Sequence, residues 1–268
     1  MATRGPIHHA ALTLFCASAV LLIPVEWMLP GALCWLASAA LVWRSGDPAM
    51  RRRMGTLLVC VAILAVAPIN TDISPRHFLT LGIPFLAVIL VPAIFLGRTD
   101  PGVIRYRFLP HRFRWLDLFY VAISFPLAYW VIRWYFAFSP HMPTQWYLPP
   151  EFDESAVVRL FWGINGVGIW DELFFVNTVY AVLRSLFSFR VANLAQAVIY
   201  TAVLNDMAFT GIGPLVVYLF ALTQGSMFEE SENLTYVLIV HLVVDYFLVQ
   251  TIVGHYYPGV DLGGILLH

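Results

Sequence analysis

Apolar residues fall into nine stretches, separated by short connections that contain polar residues, proline or glycine. A transmembrane helix needs about 20 mainly apolar residues to cross roughly 30 Å of hydrocarbon. Most of the stretches approach that length, whereas the second and third are shorter. The pattern therefore predicts an all-α protein, a polytopic transmembrane bundle of about seven to nine helices. The stretches cover residues 10–29, 31–43, 55–69, 78–97, 116–138, 157–183, 191–209, 212–228 and 235–254.

The composition narrows the function classes. Hydrophobic residues make up 60% of the 268 residues and charged residues 12%, whereas a soluble domain carries about 25% charged residues. The apolar composition makes the lipid bilayer an expected partner. The net charge of −1 gives no sign of nucleic acid, and neither a basic tail nor a nucleic-acid-binding motif is present, so nucleic acid is not an expected partner. Segment 101–115 alternates arginine with aromatic residues, which is typical of a loop on anionic lipid. All 15 basic residues are arginine, which excludes lysine Schiff-base chemistry and a Walker-type phosphate site.

Arginine is concentrated in the connections after the second, fourth and sixth stretches, whereas 139–156 and 257–268 contain none. Arginine-rich loops stay in the cytoplasm, so this distribution predicts a multi-pass protein with a cytoplasmic N-terminus. The acidic segment 229–232 falls on the same side and is expected to be a solvated loop. The arginine residues of these connections are Arg44, Arg51, Arg52, Arg53, Arg98, Arg105, Arg107, Arg112, Arg114, Arg184 and Arg190.

Three of the apolar stretches carry ionisable or amide side chains. Each ionisable group at the centre of a bilayer costs roughly 2.5–3.5 kcal/mol on insertion scales, so such groups usually serve a function. The pairs are Asp171 and Glu172 in the sixth stretch, Asn205 and Asp206 in the seventh, and His241 and Asp245 in the ninth. His241 and Asp245 are four residues apart and share one helix face. Adjacent acids point about 100° apart on a helix, so we expect one of Asp171 and Glu172 to face a shared intramembrane site.

One chemistry that suits these residues is general-base catalysis on water. Glu172 is then the base, and Asp171 supports or orients it. His241 and Asn205 polarise a scissile carbonyl or hold the water, and Asp245 orients His241. No cofactor is needed for this reaction.

The alternative chemistry uses a divalent metal, such as zinc, to activate the water. The candidate ligands are Glu172, Asp206 and His241, since carboxylate and imidazole groups bind zinc whereas the amide of Asn205 is a poor ligand.

Residues 157–255 resemble the CPBP (CAAX-processing and bacteriocin-processing, or Abi) family of intramembrane proteases. The family motifs are Glu-Glu-x-x-x-Arg, Phe-x-x-x-His and His-x-x-x-Asn/Asp on successive helices. The run Asp-Glu-Leu-Phe-Phe from Asp171 matches the start of the first motif, with Asp for the first Glu. The run His-Leu-Val-Val-Asp from His241 matches the last. Two positions depart from the pattern: Val176 stands where the family has arginine, and Asn205 where it has histidine.

The resemblance implies an intramembrane endopeptidase that cleaves a membrane-associated or C-terminal segment of a protein or peptide substrate by glutamate-activated water. It further implies a bacterial inner (plasma) membrane and, for one branch, a myxosortase-like role in processing sorting signals of surface proteins. Two alternatives stay open: a catalytically inactive CPBP-like protein for immunity or partner binding, and a proton-coupled transporter. On this interpretation residues 1–115 hold the N-terminal transmembrane segments and basic loops, and residues 116–268 the CPBP-like core.

Overall fold

The computed structural model describes residues 5–109, 114–138, 146–207 and 211–260. Within these ranges the chain forms nine helices and no strand, which confirms the predicted all-α bundle. Part of the predicted outer connection, residues 139–145, and residues 110–113 of the arginine-aromatic segment lie outside the described residues. The helices are α1 (Pro6–Leu22), α2 (Met28–Arg44), α3 (Pro48–Leu64), α4 (Pro75–Thr99), α5 (Trp115–Phe138), α6 (Glu154–Arg184), α7 (Phe189–Leu204), α8 (Gly213–Ser231) and α9 (Leu234–Tyr256).

The first apolar stretch, 10–29, is divided between two helices, which corrects its predicted boundary. Helix α1 ends at Leu22 and α2 begins at Met28. Pro24 lacks the N–H that a continuing helix needs. Glu26 adopts a φ of 54°, a left-handed conformation that a right-handed helix cannot contain. Apolar character alone therefore did not reveal this turn.

Two other boundaries also differ from the apolar stretches. Helix α3 begins at Pro48 rather than near residue 55, because the side chain of Asp47 caps it by accepting from the Ala49 N–H at 2.8 Å. Helix α7 ends at Leu204 rather than near residue 209, and a turn follows it.

Four helices among the described residues, α4, α5, α6 and α9, are long and apolar enough to cross a membrane. This agrees with an integral membrane protein. Helices α4 and α5 expose large apolar side chains, including Leu79, Ile83, Phe119 and Trp130, as lipid-facing helices do. In the most apolar window of α6, 72% of the residues are buried, against 28% for α4 and 22% for α5. Helix α6 is therefore the central helix of the bundle.

The buried side chains form two large clusters, and α6 contributes to both. One cluster joins α1–α4 to α6–α8 and includes Phe15, Val88 and Phe175. The other joins α5, α6 and α9 and includes Leu160 and Phe247. The predicted regions 1–115 and 116–268 thus share buried apolar contacts across their boundary.

Helix α6 changes its geometry at its centre. Residues Glu172–Tyr180 are π-helical, with α-helix on both sides. The Thr178 hydroxyl donates to the Leu173 carbonyl, five residues earlier, at 2.8 Å. π-Helical segments are rare and frequently occur at functional sites. This segment begins at one of the two acids that the sequence singled out.

The arginine-rich connections meet on one face of the bundle. Arg53 donates to both carboxylate oxygens of Asp100, at 3.0 and 3.1 Å, and to the Ser185 carbonyl at 3.3 Å. The acidic segment 229–232 is helical through Ser231 rather than a loop, and its glutamate side chains pair with arginine residues of this face while those of Glu230 and Glu232 stay exposed. The pairs are Arg52 and Arg53 with Asp100, Arg107 with Glu232, Arg114 with Glu230, and Arg184 with Glu229.

Candidate active site

The site forms where α6 and α9 pack closely against each other. Gly168 of α6 faces His241 and Asp245 of α9. A Cβ at this glycine would overlap a carboxylate oxygen of Asp245 and lie 3.0 Å from Cδ2 of His241. The absence of a side chain at residue 168 therefore lets the two polar groups of α9 reach the acids of α6.

His241 lies between three carboxyl groups. Its Nδ1 is 2.6 Å from Oε1 of Glu172, a short hydrogen bond. Its Nε2 is 3.7 Å from Oδ2 of Asp171 and 3.6 Å from Oδ1 of Asp245. Both of the adjacent acids therefore reach the ring, whereas the sequence predicted that one of them faces the shared site. The ring receives Glu172 and Asp171 on different edges, so acids that point in different directions both reach it.

Two further side chains belong to the cluster, and the sequence did not single them out. The Tyr200 hydroxyl of α7 lies 3.4 Å from Oδ2 of Asp171 and 3.4 Å from Nδ1 of His241. The Gln224 amide of α8 donates to Oε1 of Glu172 at 3.0 Å. An amide inside an apolar stretch was an available signal for Gln224. Tyr200 had none, because a tyrosine in an apolar helix resembles any packed aromatic residue.

Among the described residues, Asn205 and Asp206 form no hydrogen bond or ion pair with this cluster. They follow the end of α7, where the Asn205 amide donates to Oδ1 of Asp206 at 3.4 Å. Burial, with a smaller contribution from Glu26, raises the pKa of Asp206 to about 6. The seventh stretch instead contributes Tyr200, more than one helical turn earlier. Asn205, the predicted oxyanion donor, and Asp206, the predicted metal ligand, therefore do not contact the cluster, and Tyr200 does.

The four ionisable groups of the cluster are almost completely buried. Asp171, Glu172, His241 and Asp245 are 1%, 0%, 5% and 4% exposed. One carboxylate oxygen of each acid has no hydrogen-bond partner among the described residues. His241 can supply only one positive charge to three carboxyl groups, and a buried uncompensated charge is costly. The cluster must therefore hold protons or a bound cation.

An apolar cavity of about 360 Å³ ends at this cluster. It runs between α4 and α6 from the connection before α4. Asp171, His241 and Asp245 line it, and Glu172 does not. Glu172 thus contacts His241 at Nδ1 without lining the cavity. A molecule in the cavity would meet Asp171, His241 and Asp245. The walls include Phe78, Leu81, Phe85, Trp162, Gly163 and Gly166.

The predicted zinc ligands Glu172, Asp206 and His241 do not converge, because Asp206 lies beyond α7. Within the described ranges, no group of three or more His, Cys, Asp or Glu side chains is arranged to hold a metal ion. A divalent metal stays a prediction, and the chemistry of the site is derived from the carboxyl groups and the imidazole.

Val176 and Arg184 have no place in the cluster. Val176 is fully buried against Met227, Tyr236 and Val237, so its role is apolar packing. Arg184 lies at the arginine-rich end of α6, with its Nε 2.9 Å from Oε1 of Glu229. Glu229 also accepts from the Tyr180 hydroxyl at 2.6 Å.

No family model, curated protein or solved structure matches the chain.

Proposed function

We propose that this protein is an intramembrane endopeptidase that hydrolyses a peptide bond in a membrane-associated segment of a protein substrate. One observation carries the proposal. Glu172 holds His241 at Nδ1, while His241, Asp171 and Asp245 line an apolar cavity inside a membrane helix bundle. Carboxyl and imidazole groups at the end of an apolar cavity can activate water away from bulk solvent.

The reaction follows from the two edges of the imidazole. A carboxylate of Asp171 or Asp245 takes a proton from water as the water oxygen attacks the scissile carbonyl carbon. His241, protonated on both nitrogens, donates from Nδ1 to Glu172 and from Nε2 to the developing oxyanion. The proton then passes to the amide nitrogen as the C–N bond breaks, which gives a new carboxyl group and a new amine. Glu172 is a positioning residue in this scheme, a role that replaces the predicted general base.

The cavity favours an apolar, extended substrate. Its walls combine aromatic and aliphatic side chains with Gly163 and Gly166 of α6. The exposed side chains of Leu79 and Ile83 on α4 and of Trp162 on α6 place lipid-facing surface beside it. A segment of a membrane protein can therefore reach the cluster without crossing water.

The resemblance to CPBP proteases supports the same proposal. The first and last motifs supply the Asp171-Glu172 pair and the His241-Asp245 pair, and these four side chains converge on one ring. A myxosortase-like role in a bacterial plasma membrane, with the arginine-rich face in the cytoplasm, is part of the proposal.

A test compares membranes that contain the wild type, Asp171→Asn or Asp117→Asn, with new protein termini mapped by mass spectrometry. Asp117 is a matched control, because its carboxyl group on α5 is 1% exposed, has no hydrogen-bond partner in the described residues, and has Arg114 and Glu230 rather than the cluster as its neighbouring charges. We expect new termini with the wild type and Asp117→Asn and none with Asp171→Asn. Equal termini with all three proteins would exclude Asp171 as the base, and equal termini with Asp245→Asn as well would exclude the cluster from the cleavage. Loss of cleavage on adding a chelator would show that the reaction requires a metal ion.

A non-catalytic CPBP-like protein is the second candidate, and two observations favour it. Val176 packs as an apolar residue at the position of the family arginine, and Asn205 lies outside the cluster. On this candidate, wild-type membranes contain no new termini.

A further inference from the structure

A second cavity, of about 520 Å³, lies on the arginine-rich face of the bundle. It is bounded by segment 101–107, the end of α6 and the end of α8, and is independent of the proposed peptidase site. Its lining charges are four arginine and two glutamate side chains, which leaves an excess of two positive charges. They are Arg53, Arg105, Arg107, Arg184, Glu229 and Glu232.

The arginine side chains of this cavity differ in how far they are neutralised. Arg53 shares Asp100 with Arg52, and Arg107 pairs with Glu232. Arg105 instead donates from Nε to the Gly102 carbonyl at 2.9 Å. Among the described residues Arg105 has no carboxylate partner. Its terminal guanidinium nitrogens therefore remain available to an anion.

Asn177, in the π-helical segment of α6, gives a second and independent sign of a ligand. It lines the cavity and is 0% exposed. Neither its amide nitrogen nor its amide oxygen has a hydrogen-bond partner in the part of the chain that is described. Leaving a buried polar group without a partner costs about 1–3 kcal/mol, so native proteins usually satisfy such groups. A bound group with oxygen acceptors would satisfy the Asn177 N–H.

We propose that this cavity binds a phosphate group. Guanidinium groups bind phosphate oxygens through paired, charge-assisted hydrogen bonds, and Arg105 has donors free for this purpose. The Asn177 amide supplies a neutral donor from the cavity wall. The phosphate belongs either to a free anion or to the headgroup of an anionic lipid, since the cavity is at the end of membrane helices.

The test measures binding of two probes to the purified full-length chain in detergent. Inorganic phosphate is titrated by calorimetry, and phosphatidic acid is scored by native mass spectrometry against phosphatidylcholine. The variants are Arg105→Gln, on an exposed side chain, and Asn177→Leu. Arg133→Gln is the matched control, because Arg133 lies on α5 and its guanidinium contacts the Tyr129 hydroxyl at 2.9 Å. Thermal unfolding checks that each variant is folded.

Saturable binding is expected, weakened roughly 10- to 100-fold by Arg105→Gln and unchanged by Arg133→Gln. This pattern with inorganic phosphate identifies a free anion as the ligand, and with phosphatidic acid alone it identifies a lipid headgroup. If Arg105→Gln and Arg133→Gln reduce binding equally, the proposal that this cavity binds phosphate is wrong. Failure of both probes to bind saturably would overturn it too, and neither result bears on peptide cleavage. If Asn177→Leu unfolds, the Arg105→Gln comparison still decides.

Discussion

His241 is the residue on which the site depends. Its two ring nitrogens separate the surrounding acids by role, with Glu172 at Nδ1 and the cavity-facing Asp171 and Asp245 near Nε2. A carboxylate on one nitrogen fixes the orientation of the ring and its charge state, and thereby what the other nitrogen can donate. Single residues in apolar helices thus acquire distinct chemistry from small differences in position.

Gly168→Ala tests whether the close packing of α6 on α9 assembles the site. The added Cβ would overlap Asp245 and approach His241, so we expect a loss of about 1–3 kcal/mol in the free energy of unfolding and a loss of cleavage. Gly166→Ala is the control, since nothing lies within 4 Å of its Cβ. Unfolding in detergent, followed by tryptophan fluorescence, measures the stability of both variants. Equal stability of the two variants would contradict the role of Gly168.

The sequence predicted Asp171, Glu172, His241 and Asp245 as site residues, and the structure brings them together. These residues could be found because a charge in an apolar helix is visible without any knowledge of packing. Asn205 could not be rejected in the same way. Whether α7 continues to residue 205 depends on how the chain turns after Leu204, and apolar pattern does not specify turns.

At the scale of the element, α6 determines where the chemistry lies. It is 31 residues long, about 46 Å at 1.5 Å per residue, which exceeds the hydrocarbon thickness. One cavity ends at Asp171 and the other contains Asn177, so the π-helical segment separates them. The apolar stretch 157–183 predicted most of this helix, which extends from Glu154 to Arg184. It could not predict the π geometry, because that depends on contacts made by neighbouring helices.

Asp100 joins the start of α3 to the end of α4 through Arg52 and Arg53. The Arg53 hydrogen bond holds the pKa of this carboxyl group below its usual value, with burial opposing and Arg52 adding to the effect. A depressed pKa stabilises the fold above the unfolded pKa, and this stabilisation is lost as pH falls through the folded pKa. We expect Asp100→Asn to lower the free energy of unfolding by about 0.5–1.5 kcal/mol at neutral pH, less in high salt.

Denaturant unfolding at several pH values measures this effect. The difference between the wild type and Asp100→Asn should shrink as the wild-type carboxyl group becomes protonated. Glu151→Gln, at an exposed position on the opposite face, is the control. A difference that stays constant down to acidic pH would show that the ion pair does not stabilise the helix junction.

At the scale of the whole molecule, the bundle has one arginine-rich face and one face with few basic residues. The sequence predicted this asymmetry because loop charge can be counted directly. The contacts that join the loops, such as Arg53 with Ser185 and Arg184 with Glu229, needed the fold. They join positions far apart in the chain, and no local pattern encodes them.

Cysteine labelling tests the proposed orientation. Glu151→Cys lies before α6 on the arginine-poor face, and Glu230→Cys lies near the end of α8 on the arginine-rich face. A membrane-impermeant maleimide added to intact cells should label the first variant, and the second only after permeabilisation. The wild type, whose Cys16, Cys34 and Cys60 lie within helices, gives the background. The reverse labelling pattern would show that the arginine-rich face lies outside the cell and would contradict the proposed orientation.

The most direct test of the account is the rate of peptide-bond hydrolysis by purified protein in lipid nanodiscs, on a substrate segment identified from the mapped termini. Because Asp171 is proposed to contact the attacking water or lie beside it, Asp171→Asn should reduce kcat by roughly 10²- to 10⁴-fold. Asp117→Asn should leave kcat unchanged, with both variants folded. Because Asp245 is the other candidate base, the same measurement is made on Asp245→Asn, and kcat equal to that of the wild type for both variants would contradict the proposal that the buried acid cluster catalyses hydrolysis.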